Sequence, residues 1–146
     1  MKKTATEGLV LGFDFGTKYI GVALGNTISK TANGLTSLTA QKGQINWHQL
    51  ETIVDEWQPI TLVVGLPLNM DGSDQPITGQ ARQFAKGLKT RFDLPVELVD
   101  ERLTTLEAKA RIFEEQGYRG LDKSSVDMAS AAIILEQWLN ASDNAP

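Results

Sequence analysis

Three acidic residues occupy comparable places in the chain. Asp14 lies late in an apolar, glycine-rich stretch, Glu101 follows directly after a short apolar run, and Asp127 lies in the first turn of a C-terminal helical pattern. They are too far apart in sequence to form a local motif, so only folding can bring them together. Converging carboxylates raise each other's pKa unless cations lie among them. Mg²⁺ binds a few carboxylates together with water and phosphate oxygens, so this set favours phosphodiester hydrolysis by a metal-activated water.

Each acid also has a purely structural explanation. An aspartate that precedes a glycine, as Asp14 does, often makes only a turn. Glu101 is followed by Arg102 and could be half of a surface ion pair. Asp127 could simply complement the dipole of its helix. From the residues alone, both explanations stay open for all three acids.

The elements that would position these acids follow from hydrophobic periodicity. Apolar residues in 9–24 flank a Gly16-Thr17-Lys18 turn and predict a hairpin. A helical stripe begins after Asn46, a plausible N-cap, and ends before Pro59. The pattern further predicts strands over 32–40, 60–66 and 95–99, a loop over 41–46, and helices over 78–91, 104–116 and 126–139. This order predicts an α/β fold with a mixed five-stranded sheet and helices on both faces, with Asp14 and Glu101 converging at one sheet edge.

Composition limits the possible functions. The 146 residues suffice for a single domain, 1–146, whose last residues, 140–146, we expect to form a frayed tail. There is no cysteine, and the only histidine, His48, lies off the helical stripe, so any metal must be a hard ion such as Mg²⁺ or Mn²⁺. The net charge of −4 argues against a general nucleic-acid coat protein. No apolar run could span a membrane and no signal-peptide pattern is present, which predicts a cytoplasmic address.

Four segments, spread along the whole chain, closely resemble the YqgF family, also called RuvX. They are GFDFGTKYIGVALGN (12–26), VVGLPLNMDGSDQPITGQARQFAKGL (63–88), LVDERLTTLEA (98–108) and VDMASAAIILEQWL (126–139). Their order and spacing match the family jointly. The resemblance implies a ribonuclease H-like fold related to RuvC resolvases. It also implies a nuclease that matures the 5′ end of pre-16S ribosomal RNA, a family earlier described as Holliday-junction resolvases.

Carried over by position, the resemblance implies that Asp14, Glu101 and Asp127 are the metal-binding catalytic acids. The family commonly has a basic residue where this chain has Tyr19, while Lys18 is retained. This departure concerns a local phosphate contact and leaves the acids unchanged.

Further side chains lie near the acids in sequence and could contact nucleic acid. Lys18, Arg102 and Lys123 could bind phosphates, or could be ordinary solvated charges. The loop over 66–74 follows a predicted strand and could line a groove. Within it, Asn69 could touch the substrate or merely hold the turn with Gly72.

Three other functions remain as alternatives to an RNA-processing nuclease. Asp14-Phe15-Gly16-Thr17 resembles the first phosphate loop of actin- and sugar-kinase-type ATPases, but those proteins need two such domains to enclose ATP. The chain could be a non-catalytic ribosome-assembly module that binds nucleic acid. It could also cut four-way DNA junctions, which would require a dimer to cut symmetrically. We expect RNA as the preferred partner, with DNA, ribosomal precursor particles, and either a monomer or a homodimer left open.

Overall fold

The fold is built on a mixed sheet whose central strand is the one that carries Asp14. The computed structural model describes residues 7–41, 44–103, 114 and 123–141. Its strands are β1 (Leu9–Asp14), β2 (Tyr19–Asn26), β3 (Thr31–Gln41), β4 (Gln44–Ile45), β5 (Thr61–Leu66) and β6 (Val96–Asp100). Its helices are α1 (Trp47–Trp57), α2 (Thr78–Phe92) and α3 (Lys123–Ala141), with a 3₁₀ turn (Glu101–Leu103) after β6.

In the described part of the chain the strands run in the order β4–β3–β2–β1–β5–β6. β1 pairs with β2 in antiparallel fashion and with β5 in parallel, and β5 pairs with β6 in parallel. The prediction of five strands was therefore one strand short. The sixth, β4, consists of Gln44 and Ile45 alone, pairs with the end of β3, and lies in the predicted loop. Two residues are too few for any periodicity to indicate a strand.

Helices cover both faces of the sheet, as predicted. On one face, Phe13 of β1 packs its ring edge-on against Phe84 of α2, with 5.5 Å between ring centroids. Leu50 of α1 and Leu88 of α2 are fully buried in the same cluster. On the other face, α3 packs on β1, β2 and β3. Each face of the sheet buries its own apolar cluster. The central strand β1 has apolar residues on both faces, and such a strand must be covered on both sides.

The helix boundaries follow capping and turn chemistry. The Asn46 side chain accepts a hydrogen bond from the Gln49 backbone N at 3.2 Å, which confirms the predicted N-cap of α1. α1 ends at Trp57, and Gln58 adopts a left-handed conformation with φ of 48° just before Pro59. His48, which lies off the predicted helical stripe, is exposed.

The remaining predicted helices differ from the structure at their ends. α2 runs one residue beyond its predicted end. α3 begins three residues before its predicted start and extends to Ala141, so residues 140 and 141 belong to a helix rather than to a frayed tail. The rest of the predicted tail and the predicted helix over 104–116 lie outside the described residues, apart from residue 114, which is helical. No helix in the described ranges is long and apolar enough to cross a membrane.

α3 lies unusually close to the sheet because glycines line the face beneath it. A Cβ on any of five strand glycines would come within 3.0 Å of an atom of α3. Such closeness is essentially never seen for real Cβ atoms, so larger residues would push the helix away. These glycines are Gly12, Gly21, Gly25, Gly34 and Gly65.

Candidate active site

Asp14 forms the centre of the candidate active site. It is the last residue of β1 and is half-buried on the face that α3 covers. On one side, β2 places Gly21 directly opposite Asp14. On the other side, β5 pairs Val64 with Phe13, and the same parallel register places Gly65 beside Asp14. The carboxylate is therefore flanked by two residues that have no side chain.

Asp127 lies over the first of these glycines. A Cβ on Gly21 would overlap the backbone carbonyl oxygen of Asp127 and lie 3.1 Å from its Cβ. Opposed residues of an antiparallel pair have Cβ atoms about 4.5–5.5 Å apart, so the Cβ of Asp127 lies within about 9 Å of that of Asp14. Asp127 is only 6% exposed. Because α3 begins at Lys123, Asp127 is its fifth residue and not in the first turn as predicted, which weakens the helix-dipole explanation.

Glu101 lies over the second glycine. It is the first residue of the 3₁₀ turn, directly after β6. A Cβ on Gly65 would lie 3.2 Å from the carboxyl carbon of Glu101 and 2.5 Å from Cδ1 of Ile134. Neighbouring strands are about 4.8 Å apart, so the Glu101 carboxyl carbon lies within about 8 Å of the Asp14 Cβ.

The three predicted acids thus share one patch of the sheet, at the carboxyl ends of β1 and β6. Asp14 occupies the middle, with Asp127 over β2 and Glu101 over β5. Their donor atoms are all oxygens, a set that suits hard divalent cations. Within the described ranges, no three acidic or histidine side chains are arranged to hold a metal ion by themselves. The role of the three acids as metal ligands therefore stays a prediction.

The predicted basic residues lie near the acids in the chain and differ in how the structure describes them. Lys18 is exposed in the turn between β1 and β2, and its backbone carbonyl accepts a 2.7 Å hydrogen bond from the Ala40 N–H. Tyr19, at the start of β2, is 36% exposed. Lys123 is the first residue of α3, one helical turn before Asp127, and its side chain is not among those that the structure describes.

Arg102 is held by protein groups next to Glu101. Its Nη2 and Nε donate to the Asp100 carboxylate at 2.6 and 3.0 Å, and its Nη1 donates to the Met70 carbonyl at 3.0 Å. The guanidinium keeps the pKa of Asp100 below its usual value. Arg102 therefore ties the end of β6 to the loop over 67–77, a contact that sequence reasoning missed because it joins residues 32 positions apart.

Asn69 holds the turn of that loop. Its Nδ2 donates to the Ser73 hydroxyl at 3.0 Å and to the Asp74 carbonyl at 3.2 Å. Its backbone carbonyl accepts from the Gly72 N–H at 2.9 Å. The loop is further closed by an ion pair of 2.6 Å between Arg82 and Asp74. The structure thus gives Asn69 the turn-holding role, and its contact with nucleic acid stays a prediction.

Two other glycines near Asp14 serve packing and a turn. A Cβ on Gly12 would meet Leu135 of α3 at 2.8 Å, so this residue makes room for a helix. A Cβ on Gly16 would lie 2.5 Å from the Tyr19 carbonyl oxygen, so this residue permits a tight turn. The glycines on either side of Asp14 are Gly21 and Gly65. Each is a glycine inside an apolar strand, and that pattern is the sequence signal by which they could have been found.

Comparison with known proteins adds independent information. Residues 8–141 match the family RuvX, described as Holliday junction resolvase. A protein of Actinobacillus pleuropneumoniae serotype 5b, named "Putative pre-16S rRNA nuclease", is 59% identical over 132 residues, which cover 90% of this chain and 96% of that protein. A protein of the same name from Pectobacterium atrosepticum is 57% identical over 132 residues, 90% of this chain and 95% of its own.

Solved structures with similar folds are distant in sequence. Thermus thermophilus RuvC in complex with a Holliday junction substrate superposes with a TM-score of 0.58 at 12% identity, covering 94% of this chain and 96% of that one. The Fowlpox virus resolvase in complex with Holliday junction DNA gives a TM-score of 0.58 at 11% identity, covering 92% and 98%. These likenesses establish the ribonuclease H-like fold that the sequence predicted.

Proposed function

Since this chain belongs to the RuvX family, we propose that it is a nuclease that hydrolyses phosphodiester bonds with the help of a divalent cation. The observation that carries the proposal is the convergence of Asp14, Glu101 and Asp127 on one patch of the sheet. Glu101 and Asp127 lie over glycines. A larger residue at either glycine would occupy the space of the acid above it, so the lack of side chains there allows both acids to lie beside Asp14. A purely structural role for three separate carboxylates does not require such an arrangement.

The three acids would hold the cation through oxygen atoms. Mg²⁺ and Mn²⁺ are the ions of choice, as one ion or two, because Mg²⁺ keeps several waters and needs only one or two protein carboxylates besides substrate phosphate. When bound, such a cation supplies charge stabilisation to the phosphate and a water acidic enough to attack at neutral pH. The absence of a closed protein cage among the described residues is compatible with that coordination.

The chain's own residues orient the reacting groups. The central strand of the sheet carries Asp14 at its end, and α3 presents Asp127 from a nearly buried position. Lys18 lies in the turn that follows Asp14, and Lys123 lies one helical turn before Asp127. Both lysines would contact phosphates of the substrate. Arg102 would do so only where its contacts with Asp100 and Met70 leave donors available.

For the substrate, we propose RNA, and specifically the 5′ end of pre-16S ribosomal RNA in ribosomal precursor particles. The support is the shared name of relatives that are 57–59% identical over nine tenths of the chain. A cytoplasmic protein would meet this substrate. Cleavage of four-way DNA junctions is the second candidate, favoured by the family description and by the fold shared with junction resolvases.

The test is a cleavage assay on a pre-16S leader RNA, a random single-stranded RNA and a four-way DNA junction. Each substrate is incubated with Mg²⁺, Mn²⁺ or a chelator, and the wild type is compared with Asp14→Asn. Asparagine keeps the shape of aspartate and removes the charge that a cation needs. An exposed acid outside the patch, changed by Glu56→Gln, is the matched control.

RNA cleavage that requires metal, vanishes in Asp14→Asn and persists in Glu56→Gln is the expected result. Cleavage of the junction alone would move the function to recombination. RNA binding without cleavage under any metal would contradict the nuclease and favour a ribosome-assembly module.

A further inference from the structure

A second site lies at the same sheet edge as the acids but on the opposite face. It is a cavity of about 310 Å³, near the lower end of ligand-binding pockets. We call it the aromatic–amide pocket and define it by Phe15, Gln44, Trp47, Gln80, Gln83 and Phe84. Phe15 follows Asp14 directly in the chain, so the pocket begins one residue from the candidate active site.

One wall of the pocket is aromatic. The rings of Trp47 and Phe84 are nearly parallel, at an interplanar angle of 29° and 6.0 Å between centroids. Phe15 lies against Phe84 at 5.4 Å. Phe15 and Phe84 are almost fully buried, whereas Trp47 is partly exposed. Trp47 is therefore the ring of this wall that offers surface to a ligand, and exposed aromatic rings stack flat rings such as nucleobases.

The rim of the pocket carries amides and no charge. Gln44, Gln80 and Gln83 are exposed, and among the described residues their side chains have no hydrogen-bond partner. Each primary amide offers both a donor and an acceptor, the combination that pairs with the edge of a base. An uncharged rim suits a neutral base better than a phosphate.

Positive charge continues from the pocket along α2. This helix carries four basic residues and no acid, in a chain of net charge −4. Two of the four are ion-paired, Arg82 with Asp74 at 2.6 Å and Arg91 with Glu51 at 3.3 Å, which leaves Lys86 and Lys89 as the cations of α2 outside such pairs among the described residues. Trp47 also lines a second cavity, together with Lys86 and Arg91. The Arg91 guanidinium lies 4.7 Å from the Trp47 ring centroid. A strand with its base in the pocket would therefore find cations for its neighbouring phosphates.

We propose that the aromatic–amide pocket binds an unpaired base of a single-stranded nucleic acid, beside the phosphate that is cleaved. Lys86 contacts the phosphate that follows. This inference rests on the proposed nuclease function, and it adds that the substrate is single-stranded next to the cut. A paired base cannot enter, because its edge and its faces are already occupied.

The test compares two RNA hexamers with the same phosphates, one with six bases and one fully abasic. Binding is measured by fluorescence anisotropy in chelator, so that nothing is cut. Four proteins are compared: the wild type, Q80A/Q83A, Gln49→Ala and Lys86→Ala. Gln49 lies on α1 outside the pocket and is the matched control. Gln80 and Gln83 are exposed and Gln49 is half-buried, and circular dichroism checks that every variant is folded.

We expect the wild type to bind the base-containing hexamer about 5- to 150-fold more tightly than the abasic one. Q80A/Q83A should reduce this ratio at least about threefold while leaving affinity for the abasic hexamer unchanged. Gln49→Ala should preserve the ratio, and Lys86→Ala should weaken both hexamers equally.

An equal ratio in the wild type and Q80A/Q83A would overturn the pocket proposal while leaving the nuclease intact. Failure of the wild type to bind either hexamer would overturn the pocket proposal alone, because the nuclease is tested by metal-dependent cleavage and not by binding in chelator. An intact base-dependent ratio in a protein that cuts no substrate with any metal would support the pocket and overturn the nuclease.

Discussion

Replacing Gly21 by alanine should displace Asp127 from the candidate active site. The added methyl group would overlap the Asp127 carbonyl oxygen, well inside the 3.0 Å that Cβ atoms keep from other heavy atoms. Because the obstacle is backbone, no side-chain rotation can relieve it. Carbon and oxygen normally approach to about 3.3–3.6 Å, so the start of α3 must retreat by more than about 1 Å.

Two effects of different size follow from this retreat. Overpacking of this kind costs about 1–3 kcal/mol of folding free energy, which at 3 kcal/mol lowers Tm by roughly 6–12 °C. A misplacement of about 1 Å at a catalytic group costs roughly 100-fold in rate. The loss of activity should therefore exceed what unfolding explains.

Gly25→Ala is the matched control, because Gly25 lies on the same strand and the same face. A Cβ there would meet Cδ2 of Leu135 at 2.9 Å and Cδ1 of Leu139 at 3.1 Å, both at the flexible ends of side chains. We expect a loss of about 1 kcal/mol and no movement of an acid.

The assay is single-turnover RNA cleavage with Mg²⁺, at a temperature where circular dichroism shows every variant to be folded. Gly21→Ala should cleave about 100-fold more slowly than wild type and Gly25→Ala at nearly the wild-type rate. Equal rates for the two variants would refute the idea that Gly21 positions Asp127 for catalysis.

Other parts of the structure give further predictions. Asn46→Ala removes the N-cap acceptor of α1 and should lower the free energy of unfolding by about 0.5–2 kcal/mol in urea titrations. Leu88→Ala, at a fully buried position, should lower it by about 2–5 kcal/mol in the same assay. Arg102→Ala should speed amide hydrogen exchange over 68–74, since the tie to the Met70 carbonyl is lost. The pKa of Asp100 lies below its ordinary 3.8 in the fold, so its contact with Arg102 stabilises fully above that pH. That contribution is lost as pH falls through the lowered pKa, so the Tm difference between wild type and Arg102→Ala should shrink at strongly acidic pH to what the contact with the Met70 carbonyl supplies.

Much of the fold could be predicted because local patterns and tertiary contacts agree. The stripe on α1 and the apolar run of β5 each match the surface that the element buries. In contrast, β4 escaped prediction because its two residues gain their strand geometry only by pairing with β3.

The candidate site was predictable in its acids and unpredictable in its surroundings. Asp14 stood out as the one charge in an apolar strand. Glu101 and Asp127 stood out by their places after a strand and near the start of a helix, and the family resemblance implied a common role for all three. The contact between Arg102 and Met70 joins distant segments, so no local pattern contains it. The aromatic–amide pocket draws on β4, α1, α2 and the turn after β1, and it exists only once the sheet has assembled.

The central claim is that Asp14, Glu101 and Asp127 together bind a divalent cation. The most direct measurement is a Mn²⁺ titration followed by electron paramagnetic resonance, on wild type, Asp14→Asn, Glu101→Gln, Asp127→Asn and the Glu56→Gln control. Saturable binding in wild type and Glu56→Gln that is weakened at least about tenfold in each of the other three is the expected result. Undiminished Mn²⁺ binding in those three variants would contradict the claim, whatever nucleic acid the protein is found to cut.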